Sequence, residues 1–369
     1  MINKSQNIKI IISGGGTGGH IFPAISIANA LKELNNNIEI LFVGADNRME
    51  MEKVPAAGYK IIGLPIVGFQ RDSLFKNFSV AFKLLKSLFK ARSIVKDFKP
   101  NAVIGVGGYA SGPMLYMASL SGVPTFIQEQ NSFAGITNKI LAKRAKIIFV
   151  AYAKMERYFP REKIIIAGNP VRQGLENISD KKSEAVKYFG LEPDKPVILS
   201  IGGSLGARTL NHCIIEGLSE LGKSNVQFIW QSGKTYFEDA KKQLDNSGFT
   251  NIKLFDFISR MDLAYVAADL VISRAGASSI SELCIVSKPS ILVPSPNVAE
   301  DHQTKNALAL VNKNAAIMIS DAEAPDKLIS TALQLVKDVR KLNEIKTNIG
   351  QLALYNSAEN IAREILRNI

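Results

Sequence analysis

The sequence predicts an α/β fold of two Rossmann-like, doubly wound domains facing a cleft. Three observations predict it. Apolar, β-branched runs alternate with helix-period stretches along the chain, as a parallel sheet covered on both faces requires. Two of those runs end in glycine-rich turns about half a chain apart. The chain has 369 residues, more than one hydrophobic core usually serves, and a length of about 150 residues per domain gives two.

The first strand, Ile8-Lys9-Ile10-Ile11-Ile12-Ser13, runs into Gly14-Gly15-Gly16-Thr17-Gly18-Gly19-His20. A glycine turn that ends a strand and opens a helix lets the backbone approach a ligand and points N–H groups at negative charge. Further strands are expected near 38–43, 102–106, 124–128 and 146–150, with helices near 22–35, 73–97, 112–121 and 135–144. After Gly168-Asn169-Pro170 the alternation restarts, with strands near 197–201, 226–231, 252–255, 270–273, 290–293 and 316–319. The strand Val197-Ile198-Leu199-Ser200-Ile201 leads into the second phosphate-type turn, Gly202-Gly203-Ser204-Leu205-Gly206. The boundary falls within 165–175, so residues 1–167 and 168–350 form the two domains. Residues 351–369 carry a last helix, about Ala358 to Arg367, expected to pack across the domains.

Cys213 and Cys284 are the two cysteines, far apart and outside any CxxC or Cys/His cluster, which argues against a disulfide framework or a zinc site. A reducing cytosol suits such a chain. No secretory h-region precedes the first strand, and no apolar stretch approaches the ~18 residues that span a bilayer. The expectation is a protein neither exported nor membrane-spanning. The net charge of +12 is unevenly spread: residues 1–167 hold 22 Lys+Arg against 10 Asp+Glu, whereas residues 168–369 hold 23 of each. A basic half implies a polyanionic partner, either nucleic acid or an anionic membrane surface.

The densest basic stretch, Arg71 to Lys99, holds eight Lys/Arg against Asp72 and Asp97. Leu74, Phe78, Ala81, Phe82, Leu85, Leu88 and Phe89 recur at three-to-four spacing, and Lys76, Lys83 and Lys90 fall roughly opposite Leu85. That pattern suits a sheet-covering helix with a solvated lysine face, or a basic amphipathic helix that meets a membrane.

Gly14 to Gly19 satisfies G-x-G-x-x-G, and Asp46 just past the second strand is placed to hold a ribose, so a nicotinamide-dependent dehydrogenase is one reading. Three adjacent glycines make a looser loop than a dinucleotide turn needs, and the second domain has a phosphate-type turn of its own. Gly233-Lys234-Thr235 is not a Walker A, because the glycine five positions before Gly233 is missing.

Seven motifs in order identify a family. They are Gly14 to His20 with Phe22-Pro23-Ala24, Gly107-Gly108-Tyr109-Ala110-Ser111-Gly112-Pro113, Glu129-Gln130-Asn131, Gly168-Asn169-Pro170-Val171-Arg172, Gly202-Gly203-Ser204-Leu205-Gly206-Ala207, Arg274-Ala275-Gly276-Ala277-Ser278-Ser279-Ile280-Ser281-Glu282, and Asp301-His302-Gln303-Thr304-Lys305-Asn306-Ala307. Over nearly its full length the chain closely resembles the MurG family of peptidoglycan glycosyltransferases. The resemblance implies the glycosyltransferase B fold and inverting transfer of N-acetylglucosamine from UDP-N-acetylglucosamine to the 4-hydroxyl of undecaprenyl-diphospho-N-acetylmuramoyl-pentapeptide. It also implies metal-independent chemistry without a cofactor, at the cytoplasmic face of the bacterial membrane and with no nucleic-acid partner. The absence of an Asp-x-Asp pair agrees with the first of these.

Several residues have chemical roles to match. The helix opened by Gly206 offers N–H groups that, with Ser204, suit the UDP diphosphate, and Arg172 supplies the cation. Glu282 suits the paired ribose hydroxyls. By resemblance, Ile258 reads uracil through its backbone, Ala277, Ser278, Ser279, Ile280 and Ser281 wall the nucleotide, and Gln303 and Asn131 hold the sugar hydroxyls. Thr17, Gly18 and Gly19 join the substrate contacts of the first domain. Deprotonation of the acceptor needs a base: His20 is the first candidate and the Glu129 carboxylate the second, with Tyr109 and Asn211 as family-implied assistants. Phe78, Phe82, Leu85 and Leu88 form the expected membrane stripe, flanked by Lys76, Lys83 and Lys90. The chain departs from the family pattern at Ser295-Pro296-Asn297-Val298, where a bulky residue is expected soon after Pro294.

Overall fold

The computed structural model describes residues 8–67, 74–172, 174–176, 178–203, 205–298 and 301–369, with backbone alone for 74–79. Two compact units result: residues 1–172 with 356–369, and residues 173–355.

Unit 1 alternates β1 (Lys9–Ser13), α1 (Gly18–Leu34), β2 (Glu39–Ala45), α2 (Glu50–Ala56), β3 (Lys60–Leu64), α3 (Leu74–Phe98), β4 (Ala102–Gly105), α4 (Ser111–Leu120), β5 (Thr125–Glu129), α5 (Ile136–Leu141), β6 (Ile147–Val150) and β7 (Ile164–Ile166). Among the described residues its strands form one parallel sheet in the order β3-β2-β1-β4-β5-β6-β7. Successive strand residues point to opposite faces. Ile10 and Ile12 therefore enter the core under α1, while Ile11 enters the core that holds Met114 and Leu115 of α4 and Ala91, Ile94 and Val95 of α3.

Unit 2 repeats the plan with α6 (Lys182–Phe189), β8 (Val197–Ile201), α7 (Arg208–Glu216), α8 (Leu218–Lys223), β9 (Gln227–Gln231), α9 (Phe237–Ser247), β10 (Ile252–Phe255), α10 (Met261–Ala267), β11 (Leu270–Ser273), α11 (Ala277–Ile285), β12 (Ser290–Leu292), α12 (His302–Val311), β13 (Ile317–Met318), α13 (Ala324–Leu335) and α14 (Val339–Gly350). Its parallel strand order is β10-β9-β8-β11-β12-β13. In both sheets the order reverses beside the first strand, which opens a crevice at the carboxyl ends of neighbouring strands.

The chain enters unit 2 after Arg172, inside the expected 165–175 window and five residues beyond Ala167. Asn169 explains why: its Oδ1 accepts from Gln128 Nε2 and its Nδ2 donates to the Gln130 carbonyl, each at 3.0 Å. Ser26 also donates to the Val171 carbonyl. The final helix, α15 (Ser357–Arg367), buries Ile361, Ala362, Ile365 and Leu366 in the α1 core, and so belongs to unit 1.

In unit 2, Lys182 and Lys288 donate to the Ala267 and Ala268 carbonyls at the C-terminal end of α10. Burial pushes the Lys288 ammonium down to about 8. Its folded value lies below its unfolded one, so between those values the unfolded chain binds more protons, and the cost of the buried charge, full below pH 8, is relieved as pH rises. The melting temperature of the parent should gain several degrees on that of Lys288→Met between pH 8 and 10. A constant difference between the two would place this ammonium in water.

Candidate active site

In unit 1 the first glycine turn lies against the loop after β4. Gly15 N–H donates to the Gly107 carbonyl, and a Cβ on Gly108, whose φ is +85°, would lie 2.4 Å from the Gly15 carbonyl oxygen. Gly107 is equally constrained, since its Cβ would meet His20 Nε2 at 2.8 Å. Glycine is needed at both positions for backbone and imidazole to come this close. His20, in the first turn of α1, has its Nδ1 3.0 Å from the Gly15 carbonyl oxygen and 3.3 Å from Thr17 Oγ1. A carbonyl only accepts, so Nδ1 carries a proton, and Nε2 faces the Gly107 loop. Thr17 precedes α1, and Gly18 and Gly19 form its first turn, where helix N–H groups lack partners within the helix.

Glu129 is buried at the end of β5. Its Oε1 accepts the Asn131 backbone and side-chain N–H groups at 3.0 and 3.3 Å, and its Oε2 accepts from Gly135 N–H and Asn138 Nδ2 at 3.0 and 2.8 Å. Such a carboxylate organises the 130–138 loop, and Asn131 is one of its partners. Tyr109 is exposed in the Gly107–Ser111 loop, and Arg172 is exposed at the end of unit 1.

In unit 2 a cavity of about 850 Å³ opens over the carboxyl ends of β8 and β11, a volume in the range of small-molecule sites. Its floor is the second glycine turn. Gly206, at φ +81°, packs so closely that a Cβ would lie 2.0 Å from the Ser232 carbonyl oxygen, and α7 begins two residues later. Ser204 lies outside the described residues. Ser279 and Gln303 are on the cavity wall, as are Ser295, Pro296 and Asn297 of the departing segment. Gln303 organises that segment, its Oε1 accepting the Ser295 N–H at 2.9 Å.

Other expected donor residues are placed differently. Glu282 is buried on α11, and its Oε2 accepts the Tyr265 hydroxyl proton at 2.8 Å. Ile258 is buried and donates its N–H to Gln231 Oε1, while Gln231 Nε2 donates to the Gly203 carbonyl and so ties this segment to the glycine turn. Ala277 and Ile280 are buried on α11, with Ser278 and Ser281 partly so. None of these six is among the residues that line the cavity. Asn211 on α7 donates from Nδ2 to the Ser232 carbonyl at 2.8 Å and accepts the Trp230 indole N–H at 2.9 Å, so both ends of its amide serve the core of unit 2.

The structure also exposes wall residues to which the sequence reading gave no role. Arg274 Nη1 donates to the Val293 carbonyl and to Asp321, whose other carboxylate oxygen accepts from Thr209 Oγ1 at 2.9 Å. This ion pair joins the first turn of α7 to the ends of β11 and β12. Arg274 lies within a quoted motif, but Asp321 is distant in sequence and carries no local signal.

Among the described side chains of α3, Phe82, Leu85 and Phe89 are the exposed large apolar ones, while Leu84 and Phe98 pack on the core. Leu88 is only half-exposed, so Phe89 takes the place expected for it. The turn from Leu85 to Leu88 rotates toward the sheet, and the turn to Phe89 rotates away. Lys83 and Lys90 are exposed, and Lys86 Nζ stands 4.6 Å from the Phe82 ring centroid. The Lys76 and Phe78 side chains lie outside the described residues. The neighbouring helices expose Tyr116 and Leu120 on α4 and Ile136 and Ile140 on α5, with the Arg144 guanidinium 5.2 Å from the Tyr116 ring. No helix among the described residues is long and apolar enough to cross a membrane.

Residues 10–150 match the glycosyltransferase family 28 N-terminal domain, and residues 197–362 match its C-terminal domain. A protein of Phocaeicola vulgatus named UDP-N-acetylglucosamine--N-acetylmuramyl-(pentapeptide) pyrophosphoryl-undecaprenol N-acetylglucosamine transferase is 60% identical over 363 residues, spanning 98% of this chain and 96% of that one. The chain belongs to the MurG family, within glycosyltransferase family 28. A Flavobacterium psychrophilum protein of the same name is 53% identical, spanning 98% of each chain. The crystal structure of Acinetobacter baumannii MurG superposes with a TM-score of 0.78 at 27% identity, over 98% of this chain and 100% of that one. The Neisseria meningitidis UDP-GlcNAc 2-epimerase shares the fold alone, with a TM-score of 0.65 at 14% identity over 98% of this chain and 100% of that one. Membership of the MurG family makes the chain a glycosyltransferase and removes the dehydrogenase reading of the first glycine turn.

Proposed function

We propose that this chain transfers N-acetylglucosamine from UDP-N-acetylglucosamine to the 4-hydroxyl of undecaprenyl-diphospho-N-acetylmuramoyl-pentapeptide, converting lipid I to lipid II in peptidoglycan synthesis. The observation that carries the reading is full-length identity of 53–60% to proteins named for this transfer. His20 Nε2 takes the proton of the acceptor hydroxyl as its oxygen bonds to the anomeric carbon. The bond from that carbon to the diphosphate breaks, UDP leaves with the electron pair, and the α-linked donor gives a β-1,4 product. Developing charge on the diphosphate is met by the N-terminus of α7 and by Arg172. Gln303 and Asn131 hold the sugar, and the Ile258 backbone meets the uracil edge. Tyr109, exposed in the loop beside His20, lies on the acceptor side.

The test is product formation from UDP-N-acetylglucosamine and a short-chain lipid I analogue, with UDP-glucose and NAD as competitors. UDP release and a disaccharide product that form only with the acceptor present are the expected result. No disaccharide with a folded protein would sink the reading.

Unit 1 meets the acceptor at the cytoplasmic face of the membrane, where α3 and its neighbours dock on anionic lipid as a peripheral surface. This assignment draws on the charge asymmetry and on apolar side chains exposed beside cations.

Glu282 holds the ribose. Glu282→Ala should weaken UDP binding by ~1.5–3 kcal/mol, the range for hydrogen bonds to a charged group. Glu282→Gln keeps an acceptor for the Tyr265 hydroxyl and separates ribose contact from packing. Calorimetry that finds parent-like UDP affinity in folded Glu282→Ala would place the ribose elsewhere.

A further inference from the structure

Glu50, the first residue of α2, is 1% exposed. Its Oε1 accepts the Ala45 N–H at 2.9 Å and its Oε2 accepts the Gly16 N–H at 2.8 Å. The carboxylate fits closely under the first glycine turn: a Cβ on Gly15 would lie 2.2 Å from Oε1, and one on Gly44 would lie 2.5 Å from Cγ. Across the same turn, His20 Nδ1 meets the Gly15 carbonyl oxygen at 3.0 Å. The Gly15 carbonyl and the Gly16 N–H belong to one planar peptide unit and point to opposite sides of it. A single amide therefore stands between a buried carboxylate and the imidazole.

We propose that Glu50 is a positioning residue for His20, acting through the Gly15–Gly16 peptide as the carboxylate of a directly bonded carboxylate–histidine pair does. The inference rests on the reading of His20 as the base. A carboxylate that accepts the peptide N–H shifts electron density toward the carbonyl oxygen, because hydrogen bonds in a chain polarise one another. The Gly15 oxygen becomes a stronger acceptor for Nδ1–H, which keeps the proton on Nδ1 and the lone pair on Nε2. The Thr17 hydroxyl, also near Nδ1, cannot fix the tautomer alone, since a hydroxyl both donates and accepts. Gln at position 50 offers one acceptor oxygen where two N–H groups converge, so the carboxylate is specifically required.

The test is a double-mutant cycle of Glu50→Gln and His20→Ala, read as kcat with both substrates saturating. Alongside it, the ¹⁵N chemical shifts of the His20 ring report the tautomer, and cooperative thermal melting reports the folding of unit 1, which the unit 2 cavity does not sense. Glu50→Gln should lower kcat about tenfold in the parent, the scale on which partners one step removed from a histidine act. It should also mix the tautomers, leave UDP affinity unchanged and cost nothing further in His20→Ala. Equal losses in both backgrounds with an unchanged tautomer make Glu50 a clamp for the loop and overturn the inference. Turnover of His20→Ala within a few-fold of the parent overturns the base assignment itself, and the relay with it, whereas a large His20→Ala loss beside an inert Glu50→Gln overturns the relay alone. If Glu50→Gln does not fold, Glu50→Asp, which keeps the charge but shortens the reach, is judged by the same cycle.

Discussion

His20→Ala should lower turnover by about 10² or more, the loss expected when a general base is removed. On the proposed reading that UDP binds at the second glycine turn, UDP affinity should stay close to that of the parent, because His20 is in unit 1 and the described residues lining the cavity over β8 and β11 are in unit 2. The expectation follows from the ring's surroundings: with the proton on Nδ1 held by the Gly15 carbonyl, Nε2 is the ring nitrogen that faces the Gly107 loop. The competing carboxylate is less suited, since both Glu129 oxygens accept from two donors each and its removal would first unmake the 130–138 loop. Steady-state kinetics with calorimetric UDP titration separates the two effects. A turnover within a few-fold of the parent would reduce His20 to a loop residue.

Reversing three charges on α3, as Lys83→Glu, Lys86→Glu and Lys90→Glu together, should abolish binding to anionic vesicles at physiological salt. Each lysine near an anionic surface contributes about 1 kcal/mol, screened over a Debye length of about 8 Å, so replacement by glutamate removes attraction and adds repulsion. UDP binding should be spared. Added salt should weaken attachment of the parent, while Phe82→Ser with Phe89→Ser should remove the part of the binding that survives in salt, since both rings are exposed beside the lysines. Co-sedimentation indifferent to charge reversal and to salt would exclude α3 as the electrostatic anchor.

Much of this fold is legible in the sequence because its signals are local. β1 and β8 are continuous β-branched runs, their glycine turns follow at once, and α3 announces itself by its period. α2, β3 and β7 are not legible, for physical reasons. α2 has seven residues with Pro55 in its last turn, and β7 has three. β3 is interrupted by Gly63, whose bare Cα is needed because Asp46 lies over it, a Cβ there meeting Asp46 Oδ1 at 1.8 Å.

The same limit applies to the candidate site. His20 and Gln303 are legible from their motifs. The anchoring of Asn211 by Trp230 and Ser232, and the place of Glu50 beneath the first turn, depend on neighbours that only the folded sheets bring together. An acidic residue at the start of a short helix reads as solvated until strand pairing puts β2 beside β1.

Because α15 completes the α1 core from the far end of the chain, a ribosome must make about 195 further residues after Arg172 before unit 1 can close. Until then the surface of α1 that receives Ile361, Ile365 and Leu366 faces water, and a nascent chain of this kind is open to chaperones and proteases. Unit 2, which is continuous in sequence, has no such delay. Premature termination between the end of unit 2 and Ser357 would therefore leave a finished unit 2 attached to a unit 1 whose α1 core stays open.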